Sequence, residues 1–222
     1  MDIRASTRDL ATSLGLRITE AGRIGIADDR TARTAYVHHS TVSAAVVALA
    51  VAAPGLVERR ADMQRLRLVD IVLKRSLMDI TEIELLALAC GLDMSISADR
   101  SADQQRFIDH LEEMVRVFSL SAFFQHGREA CSGITLKPAA FDDVSGAVNA
   151  VEMKRWRAGF RKLTPEQQMV CATIVWLYRM EEDKTWLSRL PVRWSALHAI
   201  NALREAGRLA DWGKLVALYP GW

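Results

Sequence analysis

Cysteine is scarce in this chain. Cys90, Cys131 and Cys171 are the only three among 222 residues, they stand far apart, and their number is odd. A disulfide framework is excluded as the organising device, and a reducing, cytoplasmic setting is expected. Long apolar runs are missing too. The longest, Ala44–Ala53, stops at Pro54-Gly55; a bilayer span needs roughly 20 such residues, so this run reads as a buried helix and no membrane partner is expected. The opening MDIRAST carries no basic-then-apolar leader, so export is not expected. There is no internal repeat and no low-complexity segment.

Signatures of chemistry are equally sparse. The sequence contains no GxxxxGK[ST], no GxGxxG after a strand and no GxSxG. Glu129-Ala130-Cys131-Ser132-Gly133 resembles the nucleophile pentapeptide of caspase-type proteases, which implies a Cys131 thiol activated by a distant histidine within an α/β fold. Here His126 is the nearby histidine and alternating strands are not expected, so a helix end and linker is the better reading. His38 and His39 are adjacent and point apart, which suits a loop pair and not a metal site. His110 and Glu113, three apart on a helix, suggest a surface ion pair. The expectation is a protein that is not an enzyme and carries no metal or cofactor.

What is present is apolar mass: 50% of residues are hydrophobic and 25% charged, enough for a large core. The fold class expected is mainly α, a multi-helix bundle in two lobes with a small N-terminal β-hairpin or meander. Ser6 and Gly15 bracket a first helix, and Leu16, Ile18, Ile24 and Ile26 alternate as strands do, making this the one β element expected. Helical spacing follows from Ser40 to Ala53, from about Leu56 through Leu66, Val69, Leu73 and Leu77, over DITEIELLALACG, and from Ser101 to Gly127. Residues 1–131 form an N-terminal lobe, 132–140 a linker, and 141–222 a basic, tryptophan-rich C-terminal lobe. That lobe should hold helices over 141–161, over 165–181 with a Thr164–Gln167 capping box, over 193–206 and on to Tyr219.

Two stretches could be DNA readers. Asp9–Ile24 has the spacing of a helix-turn-helix, but Gly22 would fall in its recognition helix, with Gly25 just past it, and an interior glycine costs about 1 kcal/mol. Ser40–Arg60 resembles the recognition helix and turn of winged-helix regulators of the MarR type, which implies major-groove binding through that segment. After Ser43, however, alanines and valines occupy every face, the pattern of a buried helix and not of one reading base edges.

Charge is distributed more informatively than the net +2 suggests. Residues 61–120 hold 7 Lys/Arg against 11 Asp/Glu, whereas 151–222 hold 12 against 7, together with all six tryptophans. In MKRWRAGFRK, Lys154, Arg157 and Arg161 make one row, while Arg155 and Lys162 flank the apolar stripe that carries Trp156 and Phe160. On the helix near 193–206, Trp194, His198, Asn201 and Glu205 form a narrow polar line bordered by Arg193, Arg204 and Arg208. Such cations suit phosphate contact, and the aromatic and amide groups suit nucleic acid or a protein interface. The expectation is a DNA- or RNA-binding regulator or nucleoprotein subunit working through the C-terminal lobe; the alternative is an adaptor or inhibitor that docks on a protein partner through the same lobe.

Overall fold

The computed structural model describes residues 3–20, 22–38, 66–92, 100–127, 136–142, 147–179, 186–187 and 194–221. These form helices α1 (Ala5–Ser13), α2 (Asp29–His38), α3 (Leu68–Leu73), α4 (Ile80–Ala89), α5 (Arg100–Val117), α6 (Ala150–Phe160), α7 (Pro165–Arg179), α8 (Ala196–Glu205) and α9 (Leu209–Leu218), with a 3-10 turn at Arg75–Leu77. The protein is mainly α with small β elements, as the periodicity indicates. No helix among the described residues is long and apolar enough to cross a membrane.

The expected hairpin forms. Strands β1 (Leu16–Ile18) and β2 (Ile24–Ile26) pair antiparallel, with Leu16 opposite Ile26 and Ile18 opposite Ile24. Gly15 adopts φ 71° ahead of it, and a side chain there would strike the Asp28 carbonyl and the Ala32 amide. Beneath the hairpin α1 packs on α4, and the buried Glu84 carboxylate accepts from Thr7 and, at 3.0 Å, from Arg4.

Contrary to the sequence expectation, this is not the only β-structure. β3 (Phe124–His126) pairs with β4 (Leu136–Pro138), and β5 (Phe141–Asp142) with β6 (Ala147–Val148). The helix expected to reach Gly127 ends at Val117. Ser119 takes φ 54°, Leu120 donates to the Val115 carbonyl at 2.8 Å and Ser119 to Arg116 at 3.1 Å, closing α5 in a Schellman motif without glycine. The helix expected over 141–161 starts only at Ala150, where the Asn149 side chain accepts from Val151 and Glu152. The expected helices Ser40–Ala53 and Leu56 onward lie outside the described residues as far as position 65.

One buried apolar cluster runs from Ala11 to Tyr219, so residues on both sides of 132–140 share a core. Within that interval, Leu136–Pro138 is a buried strand. At the centre α9 lies against α4, α5 and α8, while α3 packs on α7 and α8. Two polar aromatic groups inside this core have partners: Trp212 Nε1 donates to Thr173 Oγ1 at 2.9 Å and Tyr219 Oη to the Leu177 carbonyl at 3.0 Å. Two long-range stitches cross it. The buried Arg75 donates from Nε to the Val216 carbonyl and from Nη2 to Ala217, both at 2.8 Å. Arg67 and Ser195 form an isolated antiparallel bridge, through Leu68 N–H to the Trp194 carbonyl and Ala196 N–H to the Leu66 carbonyl.

Candidate nucleic-acid interface

α6 owes its orientation to its aromatic side. Trp156 stacks on Phe160 with ring centroids 5.2 Å apart, meets Phe123 and Trp186 edge-on at 5.5 Å, and donates from Nε1 to the Phe123 carbonyl at 3.0 Å. Gly159 lets Phe123 approach; a Cβ there would sit 3.2 Å from its ring. With Met153, Trp156 and Phe160 buried, the opposite side must face outward.

That outward side is made of Val151, Lys154, Arg155, Ala158 and, just beyond the helix, Arg161 and Lys162, all exposed. Val151 is 69% exposed, although Phe141, Val144, Val148 and Val151 recur in the sequence at the spacing of a helical apolar stripe. That stripe is not a single helix: Phe141 and Val148 are strand residues, and the helical phase restarts at Asn149. Arg157, expected in the outer row, lies half-buried at its border. Arg155 is engaged by Glu152 at 2.8 Å. Lys154, Arg161 and Lys162 have no ion pair among the described residues. Placing cations at the end of α6 also suits its negative dipole end.

The second expected group is held differently. On α8, His198 and Glu205 are exposed and Asn201 is half-buried, with its Nδ2 donating to Glu205 Oε1 at 2.8 Å. Trp194 packs partly against the core. Arg204 turns inward; burial lowers its guanidinium from the ordinary arginine value, with Cys90 nearby offsetting part of the effect. Arg208 lies over the Phe118 ring at 5.4 Å and pairs with Asp211 at 3.2 Å. Arg193 is outside the described residues. α6 leans on the segment around Phe123, whereas α8 packs on α3, α7 and α9, so the two groups sit on different supports.

Burial drives the Cys171 thiol up and pushes Cys90 up to about 12, so neither ionises near neutral pH; Cys131 and His39 lie outside the described residues. His110 is not the surface ion-pair residue expected from its spacing. It is 3% exposed, its Nε2 donates to the Asp211 carbonyl at 2.8 Å, and Glu113 stands 3.9 Å from Nδ1. No family model matches the chain, and no curated protein or solved structure shows significant similarity to it.

Proposed function

We propose that this chain is a non-enzymatic nucleic-acid-binding protein that contacts phosphates through the outward face of α6. The observation that carries this reading is the set Lys154, Arg161 and Lys162, exposed and without ion pairs among the described residues, on a face where the Glu152 carboxylate is taken by Arg155. Each contact would displace a counterion condensed on the nucleic acid. A net charge of +2 makes the local field modest, which favours a regulator or a helical subunit within a larger nucleoprotein assembly over a tight solitary binder. The competing reading, docking on a protein through tryptophan anchors, loses support because Trp156, Trp176, Trp186 and Trp212 are all buried in the core.

The test is fluorescence anisotropy with labelled DNA and RNA at low and moderate salt. Binding that weakens steeply with salt, and is lost in Lys154→Ala/Arg161→Ala/Lys162→Ala, supports the reading. Absence of binding at low salt ends it and selects the protein-docking alternative.

A further inference from the structure

The α6 face has internal order beyond its net charge. At about 100° per residue, Val151 and Ala158 define its midline. Lys154 and the C-cap residue Arg161 form a column on one side and Arg155, with Lys162 in the turn just after the helix, a column on the other, the helical members standing about 100° apart. From Lys154 to the C-cap Arg161 is seven residues, about 10 Å of axial rise. The midline offers a methyl and an isopropyl group and no hydrogen-bonding side chain. α6 itself places no aromatic ring on this face, since Trp156 and Phe160 point into the core.

Resting on the nucleic-acid reading above, we infer that the ligand is a duplex, gripped by both strands without base-specific readout. Two cation columns on either side of a smooth midline fit two phosphate backbones flanking a groove. A helix is about 10–12 Å across, and a major groove about 12 Å wide admits it. Single strands are held chiefly by base stacking on exposed aromatic rings, and α6 presents none on this face. Alanine and valine on the midline cannot tell base pairs apart by donor and acceptor pattern. Arg155 must leave Glu152 to take part, and the exposed pair resists this weakly.

The experiment compares the full chain on a labelled duplex, the corresponding single strand, a second duplex of unrelated sequence and phosphatidylserine vesicles. About four phosphate contacts give a log–log salt slope of about −3.6, a loss on the order of 10²-fold between about 50 and about 200 mM salt. Both duplexes should bind alike and at least roughly tenfold tighter than the single strand. Arg161→Gln and Lys162→Gln, one from each column, should each reduce the slope by about one. Ala158→Glu, an exposed change checked by circular dichroism, should abolish binding by placing a carboxylate between the columns; Val151→Glu serves as a second variant should the first lose its fold. Equal or tighter binding of the single strand, preference between the duplexes, or an effect confined to one column overturns the inference while leaving nucleic-acid binding intact. Failure to bind any nucleic acid at low salt, or capture by vesicles alone, overturns the underlying reading instead.

Discussion

Arg75 reaches Val216 across 141 residues of sequence, its Nε donating to the Val216 carbonyl at 2.8 Å while Nη2 donates to Ala217. These carbonyls belong to the last turn of α9, where intrahelical donors have run out and the dipole is negative. A buried guanidinium is a suitable cap there, because its planar fork serves two adjacent acceptors.

Arg75→Ala should therefore cost about 3 kcal/mol, since two buried carbonyls lose charged donors. Arg75→Lys should recover only part of the loss, because one ammonium cannot reproduce the fork. Urea midpoints measured by tryptophan fluorescence check both; a shift within about 0.5 kcal/mol for Arg75→Ala would contradict the capping role.

Acid should weaken the junction between α5 and α9. Burial lowers the His110 pKa from its ordinary value of 6.5, with Lys214 acting the same way and the Asp211 carbonyl, the Asp211 carboxylate and Glu113 acting against it. The neutral ring is therefore the form the fold prefers, and on acidification the unfolded chain takes up the proton first. Stability from this residue is complete above 6.5 and is lost as pH falls through the lower folded value. His110→Gln should flatten the His-dependent part of the profile, read as urea midpoints from about pH 8 down to about pH 5.

The two inner thiols should be silent in the native protein. In a Cys131→Ser background, Cys90 and Cys171 should react with a thiol reagent only after denaturation, because burial raises both. Gly213→Ala should break this state, as its new Cβ would overlap the Cys90 Cβ and lie 2.6 Å from its sulfur. Overpacking of this kind costs about 1–3 kcal/mol, seen as a lower melting temperature and faster Cys90 labelling.

Thr173→Val should cost about 1 kcal/mol by removing the acceptor of the Trp212 indole N–H. Combined with Trp212→Phe, the losses should be less than additive, since either change removes the same bond.

The two basic groups should separate experimentally. Alanine at Lys154, Arg161 and Lys162 should leave stability within about 0.5 kcal/mol, with the effect confined to ligand binding. Alanine at Arg204 or Arg208 should instead lower stability, because burial holds the first and Phe118 with Asp211 holds the second.

Helix ends that use their favoured residues were legible in the sequence. Thr164 and Gln167 exchange the expected reciprocal bonds at 2.9 and 3.4 Å, and Gly91 and Gly207 take positive φ where α4 and α8 stop. The end of α5 was hidden because Ser119 does the glycine's work there. The strands of 141–148 were hidden because two-residue strands are too short to show a period of two, while Phe141, Val144, Val148 and Val151 imitate a helical one. At the candidate site, the concentration of cations was readable, and so was the inward placement of Trp156 and Phe160. The midline was not, because its phase is set by the Asn149 cap. Nor was the inward turn of Arg204 and Arg208, since nothing local announces that an arginine will be claimed by a ring or a helix brought from elsewhere in the chain.

The bridge between Arg67 and Ser195 has a consequence for biosynthesis. It joins the starts of α3 and α8 through the Leu68–Trp194 and Ala196–Leu66 hydrogen bonds, at 3.1 and 2.6 Å. A chain leaving the ribosome reaches position 67 long before 195 exists, so α3 emerges with its apolar side bare and its docking partner still untranslated. Maturation must await the final segments, and until then the nascent polypeptide is a client for whatever shields exposed hydrophobic surface in the cell.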